Sequence, residues 1–184
     1  SSRGASHLQA LKPLDALLIT HAHADHLGGL PTLLSEAPRT RCYASAPTAS
    51  LAEFALTGSL LSQGDSRAKT RAQGAAELLR AVPFGRALEL LGASTPSTTP
   101  AIHATFVPSG HILGASSLLL DITIGAKFLR VYYTGDFSLH SQPWTPGASL
   151  PDLTPRIDLL ILEGVLAGFH ALDTWSSEHA WTAL

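Results

Sequence analysis

The spacing of apolar residues predicts strands and helices in the first third of the chain. LDALLIT at residues 14–20 and TRCYAS at residues 40–45 are short, largely apolar runs and predict buried strands. Leucines that recur at helical spacing predict a helix in LGGLPTLLSEA, at residues 27–37. APTASLAEFALTGSLL, at residues 46–61, predicts a second helix. The pattern therefore predicts two successive strand–helix units.

The middle of the chain has a helical pattern followed by a loop. Thr48 or Ser50 is the predicted N-cap of the second helix, because a hydroxyl there can accept a hydrogen bond from an unpaired N–H of the first turn. Residues 62–91 are alanine-rich and predict helix, interrupted at Pro83. GASTPSTTP, at residues 92–100, predicts a loop from its composition.

The second half of the chain is dominated by β-type runs. Three of them follow one another: AIHATFVPSG, SSLLLDITIG and FLRVYYTGD, at residues 101–110, 116–125 and 128–136. The second and third runs predict a hairpin, because only a short segment around Gly125 separates them. A proline-rich connection over residues 142–155 leads to a last predicted strand in RIDLLILEG, residues 156–164.

Composition describes a globular chain with little net charge. With 184 residues, of which 45% are hydrophobic and 14% charged, the chain fits one domain with one core. The formal net charge of −2 gives no overall attraction to nucleic acid. Residues 65–91 are locally basic, and a solvated helix face explains that pattern as well as a phosphate site does.

Cysteine content and the lack of long apolar runs indicate the compartment. The single cysteine, Cys42, excludes an internal disulfide and suits a reducing environment. We find no signal-peptide pattern and no apolar run of about 18 residues, so we expect a cytoplasmic protein, or a nuclear one in a eukaryote. Methionine is absent even from position 1, so we expect the chain to begin inside a longer reading frame or after processing.

The most informative motif directly follows the first predicted strand. Residues 17–29, LLITHAHADHLGG, place His21, His23, Asp25 and His26 in an H-x-H-x-D-H arrangement. Alternate side chains of an extended stretch share a face, so His21 and His23 point the same way. Imidazole nitrogen and carboxylate oxygen suit Zn²⁺, with Fe or Mn as alternatives. Asp25 and His26 lie where the chain turns into a helix and can aim at a second point, so the motif predicts two adjacent metal positions.

Two further candidate ligands lie at strand ends in the second half. His111, in PSGHILGAS, is flanked by Gly110 and Gly114, as expected where the backbone approaches a ligand closely. Asp136, in YYTGDFS, ends the third β-type run. A Gly-Asp pair at a strand end is usually only a turn. Beside the histidine cluster it becomes a ligand candidate, because α/β folds place their chemistry in loops at strand ends.

These motifs resemble those of the metallo-β-lactamase superfamily. The resemblance begins in LLITHAHADHLGG and the apolar strand before it. GHILGAS, YYTGDFS and DLLILEG extend it to the β-CASP branch, which includes ribonuclease J and the endonuclease of mRNA 3′-end cleavage and processes RNA or DNA. The similarity covers residues 14–30 and 105–164. It implies an α/β fold, the αββα sandwich of the superfamily.

The resemblance also implies a role for each candidate residue. The implied metal ligands are His21, His23 and His111 for one zinc ion, Asp25 and His26 for a second, and Asp136 as a bridge between them. Asp25 would also orient the nucleophile, a metal-bound hydroxide that attacks a phosphodiester, with RNA favoured over DNA. Glu163 matches an acidic residue that in this branch steadies a downstream histidine, which makes it a second catalytic candidate. Gly164 follows it, where the branch has Ser or Thr.

Departures from the branch limit what we expect of this chain alone. About 13 residues precede the first predicted strand, where the superfamily has several strands, and the branch's cap domain does not follow. The two histidines that come after the cap in the branch have no match, since His170 and His179 lack the context. We therefore expect residues 1–184 to be a partial domain, with 166–184 as the start of the cap or an unmatched tail. We expect one well-held zinc and a second, partly filled one, with Mn²⁺ as a substitute.

Two other functions stay open, and the first of them shares the ligand set. A small-molecule hydrolase, such as a thioesterase or lactonase, uses the same fold. A truncated, non-catalytic module could keep the scaffold alone. The motifs around His111 and Asp136 favour the metal-dependent nuclease, with a nucleic acid partner and no membrane association. The oligomeric state is left open.

Overall fold

The computed structural model describes residues 14–92, 100–151 and 155–164, in which eight strands form two sheets. The small sheet is parallel, with the order β1–β2–β3: β1 is Ala16–Ile19, β2 is Arg41–Ser45 and β3 is Leu79–Val82. The large sheet has the order β4–β5–β6–β7–β8: β4 is Ala87–Leu91, β5 is Ala101–Pro108, β6 is Ser116–Ile124, β7 is Lys127–Tyr133 and β8 is Leu159–Ile161. Its neighbours are antiparallel except β7 and β8, which are parallel.

Helices connect the strands of the small sheet and cover one of its faces. Their bounds are α1 Ala24–Leu27, α2 Leu30–Glu36, α3 Ala46–Ser62 and α4 Ala68–Glu77. Cys42 and Ala44 of β2 point toward them and share a buried cluster with Leu27, Leu56 and Ala72. Burying such apolar side chains contributes about 25 cal/mol per Å² removed from water, which fastens the helices to the sheet. The single cysteine is thus a free, buried residue in a strand, as predicted.

The opposite face of the small sheet packs on the large sheet. Tyr43 and Val82 share a second buried cluster with Ala104, Phe106 and Leu118. Because side chains alternate along a strand, β2 can serve both clusters, with Cys42 and Tyr43 pointing in opposite directions. The described ranges therefore hold one helical layer and two sheet layers, which fits three layers of the expected αββα sandwich.

The outer face of the large sheet carries an apolar groove of about 230 Å³. Exposed leucines line it, among them Leu139, Leu150, Leu160 and Leu162. All helices within the described ranges pack on the other sheet. No helix in those ranges has the length and hydropathy needed to cross a membrane.

The predicted hairpin is confirmed, and two local predictions are wrong. Ile124 pairs with Lys127 around a two-residue turn in which Gly125 has φ 58°. The N-cap of α3 is Ser45, not Thr48 or Ser50, because the Ser45 hydroxyl accepts a hydrogen bond from the backbone N–H of Thr48 at 3.3 Å.

The helix predicted over residues 62–91 ends early. Helix occupies the end of α3 and then Ala68–Glu77, after which the chain forms the strands β3 and β4. β3 pairs in parallel with β2 and buries Leu79 and Val82. This pairing between distant segments outweighs the local helical tendency of an alanine-rich stretch. Most of the loop predicted over 92–100 lies outside the described residues, as does 165–184.

Candidate metal centre

The centre begins where β1 ends. Thr20 and His21 follow the strand directly and are both buried, and His21 has no exposed surface. The Oγ1 atom of Thr20 lies 3.1 Å from Nδ1 of His21. Engaging Nδ1 leaves Nε2 as the ring nitrogen that is directed at the neighbouring histidines.

Four donor atoms from three loops converge on one point. Nδ1 of His23 lies 3.0 Å from Nε2 of His21 and 3.1 Å from Nε2 of His111. The Oδ2 atom of Asp136 is 3.4 Å from Nε2 of His111 and 3.7 Å from Nε2 of His21. All four atoms lie within 4.8 Å of one another.

This spacing fits a tetrahedral metal ion. Zinc–nitrogen bonds of about 2.1 Å at tetrahedral angles place donor atoms about 3.4 Å apart. The four separations given above, 3.0 to 3.7 Å, bracket that value, and the other two pairs of donor atoms lie within 4.8 Å. Three imidazoles and a carboxylate are also the donor types that zinc accepts. The residues present therefore fit a zinc ion.

A second set of donors shares Asp136. Nε2 of His26 lies 3.5 Å from Oδ1 of Asp136 and 3.5 Å from Oδ2 of Asp25. The two carboxylate oxygens of Asp136 thus face different histidines, Oδ2 toward His111 and Oδ1 toward His26. Asp25 is 79% exposed, so its carboxylate is open to solvent. The structure brings together all six ligands predicted from the sequence, four of them in the tight group.

Burial favours the neutral form of two of the imidazoles, those of His21 and His111. It is the largest cause that lowers the pKa of His21 from 6.5 to about 4, and nearby His26 lowers it further while Asp136 raises it. Burial also lowers the pKa of His111, against the opposing effect of Asp136. A neutral imidazole has a free lone pair at pH 7, as a metal ligand requires.

Three hydroxyl groups hold the loop that carries His111, because all three donate hydrogen bonds to one of its backbone carbonyl groups. Ser45 Oγ, Thr48 Oγ1 and Ser116 Oγ donate to the carbonyl oxygen of Gly114 at 2.6, 2.9 and 3.1 Å. Gly114 has φ +84°, and a Cβ atom there would lie 2.6 Å from the backbone nitrogen of Thr48. The start of α3 and the His111 loop are therefore locked together. Sequence reasoning found the glycine but not its hydroxyl partners.

The same loop is held from its other side by Gln142. Its side-chain amide donates to the carbonyl oxygens of Gly110 and His111 at 3.1 and 2.9 Å. Sequence reasoning missed this residue, since Gln142 lies in a proline-rich connection with no motif around it.

Glu163 contacts the loop of Asp136. One of its carboxylate oxygens accepts a hydrogen bond from the backbone N–H of Phe137 at 3.3 Å, and its own backbone N–H donates to Thr134 Oγ1 at 3.1 Å. Within the described ranges, the tight group of donor atoms does not include Glu163. His170 and His179 lie outside those ranges.

Comparison with known proteins places these residues in a family context. A sequence model of the family described as "Beta-lactamase superfamily domain" matches residues 2–176. Endoribonuclease YSH1 of Gibberella zeae is 30% identical over 154 residues, covering 83% of this chain and 18% of that protein. Ribonuclease TTHA0252 of Thermus thermophilus is also 30% identical over 154 residues, covering 83% of this chain and 32% of that protein.

Two further matches complete the comparison. Transcription termination factor FttA of a Lokiarchaeum species is 27% identical over 159 residues, covering 86% of this chain and 24% of that protein. The solved structure of MEM-A1, a subclass B3 metallo-β-lactamase from a soil metagenome library, aligns with 77% of this chain and 54% of its own, at 22% identity and a TM-score of 0.45. The chain thus spans between 18% and 32% of the length of the three curated relatives.

Proposed function

The chain belongs to the β-lactamase superfamily domain family, and from that premise we propose that it is a metal-dependent phosphodiesterase that cleaves nucleic acid, with RNA as the favoured substrate. Family membership confirms the predicted fold class. The relatives named as ribonucleases confirm the resemblance to the nucleic-acid branch. One observation carries the proposal: Asp136 turns one oxygen toward His111 and the other toward His26.

The donor set supports a zinc centre of two unequal halves. His21, His23 and His111 would hold the first ion, with Asp136 as its fourth donor. His26 and the exposed Asp25 would hold the second with the other oxygen of Asp136, which gives it fewer imidazoles and a weaker hold. Mn²⁺ would substitute for zinc. Metal bound in such a site supplies Lewis acidity toward a phosphoryl oxygen and brings the pKa of water near neutrality.

The remaining steps fall to the side chains themselves. The Asp25 carboxylate, open to solvent and 3.5 Å from His26, would orient the attacking water by accepting its hydrogen bond. Glu163 would keep the Asp136 loop in place through the N–H of Phe137. A substrate would approach from the side on which Asp25 and His23 are exposed.

The choice of nucleic acid over a small ester draws on the relatives. The 30%-identical proteins are named as an endoribonuclease and a ribonuclease, and each match covers 83% of this chain. RNA in the cytoplasm, or in the nucleus of a eukaryote, is the substrate and setting that we propose. The lone reduced Cys42 suits both compartments.

The test combines metal content with cleavage. The protein is purified, as this chain and as any longer natural form that contains it, and zinc per chain is measured by mass spectrometry. End-labelled RNA and single-stranded DNA of the same sequence are then incubated with Zn²⁺ or Mn²⁺. We expect one to two zinc ions per chain and cleavage of RNA above DNA.

His111→Ala is the informative variant and His103→Ala its matched control. His111→Ala should lose the first zinc and at least about 100-fold in cleavage rate, whereas His103→Ala should keep both, because His103 lies outside the centre beside Glu89. Cleavage of neither polymer by any form, with turnover of a thioester or lactone instead, would replace this proposal with a small-molecule hydrolase. Absence of bound metal in a folded protein would favour a non-catalytic module.

A further inference from the structure

Trp144 projects into solvent from a tight turn, with 88% of its side chain exposed. The turn is closed by two backbone hydrogen bonds: Gln142 N–H donates to Thr145 carbonyl oxygen at 2.8 Å, and Thr145 N–H donates to Gln142 carbonyl oxygen at 3.2 Å. Pro143 further restricts the backbone between them. A large aromatic side chain is normally mostly buried, so Trp144 is a candidate contact residue if its surroundings also suit a ligand.

The turn is fastened to the loop that supplies a metal ligand. The Gln142 side chain donates to the carbonyl oxygens of Gly110 and His111. On either side of the turn, Ser138 N–H donates to the Ser109 carbonyl oxygen at 2.9 Å and Ser149 N–H donates to the Pro108 carbonyl oxygen at 2.9 Å. The turn that carries Trp144 is therefore joined by hydrogen bonds to the loop that supplies His111.

Charge decides which part of a nucleic acid this surface suits. Residues 137–151 contain no Lys, Arg, Asp or Glu. The side chains of this segment offer a phosphate group no lysine or arginine to pair with, and the nearby carboxylates of Asp136 and Glu163 would repel it. A nucleobase is an uncharged aromatic ring, so it can stack on an indole without needing a charged partner. The chemistry of the segment thus suits a base and not a backbone phosphate.

We propose that Trp144 is a stacking platform for one nucleobase of a single-stranded substrate, next to the phosphodiester that lies in the metal centre. This inference rests on the proposed nuclease function and adds a residue that positions substrate. Every base has an aromatic face, so the contact tolerates many sequences and requires an unpaired base. Removal of one base–aromatic contact should weaken binding about tenfold.

The experiment leaves Trp144 as the single tryptophan of the chain, so that tryptophan fluorescence reports on this residue alone. Trp175→Phe and Trp181→Phe together remove the other two tryptophans of the chain. This variant is titrated in EDTA, where no cleavage occurs, with a uridine oligonucleotide and with an abasic oligonucleotide of the same length and charge. Stacking predicts strong quenching by the first and weak quenching by the second.

Variants then separate stacking from a general loss of structure. Affinity for a fluorescein-labelled oligonucleotide should fall about tenfold in Trp144→Ala and be restored in large part in Trp144→Tyr. Phe54→Ala, which removes another aromatic side chain that is 84% exposed, on α3, should leave affinity unchanged. Zinc content should stay the same in all of them. In cleavage assays, Trp144→Ala should raise KM more than it lowers kcat.

Three results would overturn the inference. They are equal quenching by the abasic strand, unchanged affinity in Trp144→Ala, and protection of Trp144 from acrylamide in a longer natural form without nucleic acid, which would assign the indole to a protein contact. The two proposals fail separately. If the protein cleaves RNA and Trp144→Ala has no effect, the nuclease function stands and the stacking role of Trp144 is wrong. If quenching depends on the base but no nucleic acid is cleaved, the stacking role stands and the nuclease function is wrong.

Discussion

Acidification of the metal-free protein should destabilise it through His21. Burial holds the pKa of this imidazole at about 4, below its ordinary value of 6.5. The unfolded chain therefore binds a proton as the pH falls through about 6.5, whereas the native state resists that proton until about pH 4. The unfolded state binds more protons in this interval, so stability is full above it and falls as the pH decreases through it.

The size of this loss of stability follows from the difference between the pKa of His21 in the unfolded chain and in the native state. Each pKa unit corresponds to about 1.4 kcal/mol, so the full loss is about 3 kcal/mol and is complete below pH 4. About 2 kcal/mol of it is reached between pH 7 and pH 5, where most carboxylates are still ionised. The lowered pKa of His111 acts in the same direction. A loss of this size is a large share of the stability of a typical domain.

Urea unfolding in the presence of a chelator measures the effect. Free energies of unfolding are determined at pH 7, 6 and 5 for the wild type, for His21→Gln and for the control His103→Gln, which changes a histidine outside the centre. The wild type and the control should lose about 2 kcal/mol from pH 7 to pH 5, and His21→Gln should lose much less. An equal loss in His21→Gln would refute the argument, because the pH dependence would then belong to other groups.

Two further changes test the framework around the centre, and a third tests an ion pair between β6 and β7 of the large sheet. Gly114→Ala puts a Cβ against the backbone at φ +84° and should cost about 2 kcal/mol or more in urea unfolding. Glu163→Ala removes the acceptor for Phe137 N–H and should weaken zinc affinity about tenfold in a competition assay with a chelating dye, whereas Glu163→Gln keeps an acceptor oxygen and most of the affinity. Arg130→Lys loses one of the two hydrogen bonds to the Asp121 carboxylate, which are 2.7 and 2.8 Å long. It should lower the free energy of unfolding by about 1–2 kcal/mol.

The donor residues of the centre could be predicted because a short motif around each of them identifies it. The H-x-H-x-D-H spacing follows an apolar strand, and the pleat alone puts His21 and His23 on one side. His111 was predicted from its place after a strand and between two glycines, and Asp136 from its place at a strand end. The structure puts both within reach of those imidazoles. The strand hairpin around Gly125 was predicted for the same reason, since its pairing partners are close in sequence.

What the sequence could not predict depends on distant partners. β3 lies in an alanine-rich stretch and becomes a strand only because β2 pairs with it from more than 30 residues earlier. Ser45 caps α3 while its hydroxyl also serves Gly114, 69 residues away, a role that no local pattern encodes. Gln142 reaches across 31 residues to the carbonyl of His111. Such contacts require the assembled fold.

The groups that hold the His111 loop carry no charge, and this has a chemical consequence. The atoms that fix the His111 loop are hydroxyls, an amide and backbone carbonyls, contributed by Ser45, Thr48, Ser116 and Gln142. Neutral partners hold a loop without adding to the field at the centre, so the protein charge near it comes mainly from the carboxylates of Asp25, Asp136 and Glu163, the last of which raises the pKa of His111. Substitutions of these four residues should therefore change the metal affinity, because they alter the geometry of the ligands, and should leave the charge of the metal-bound centre unchanged.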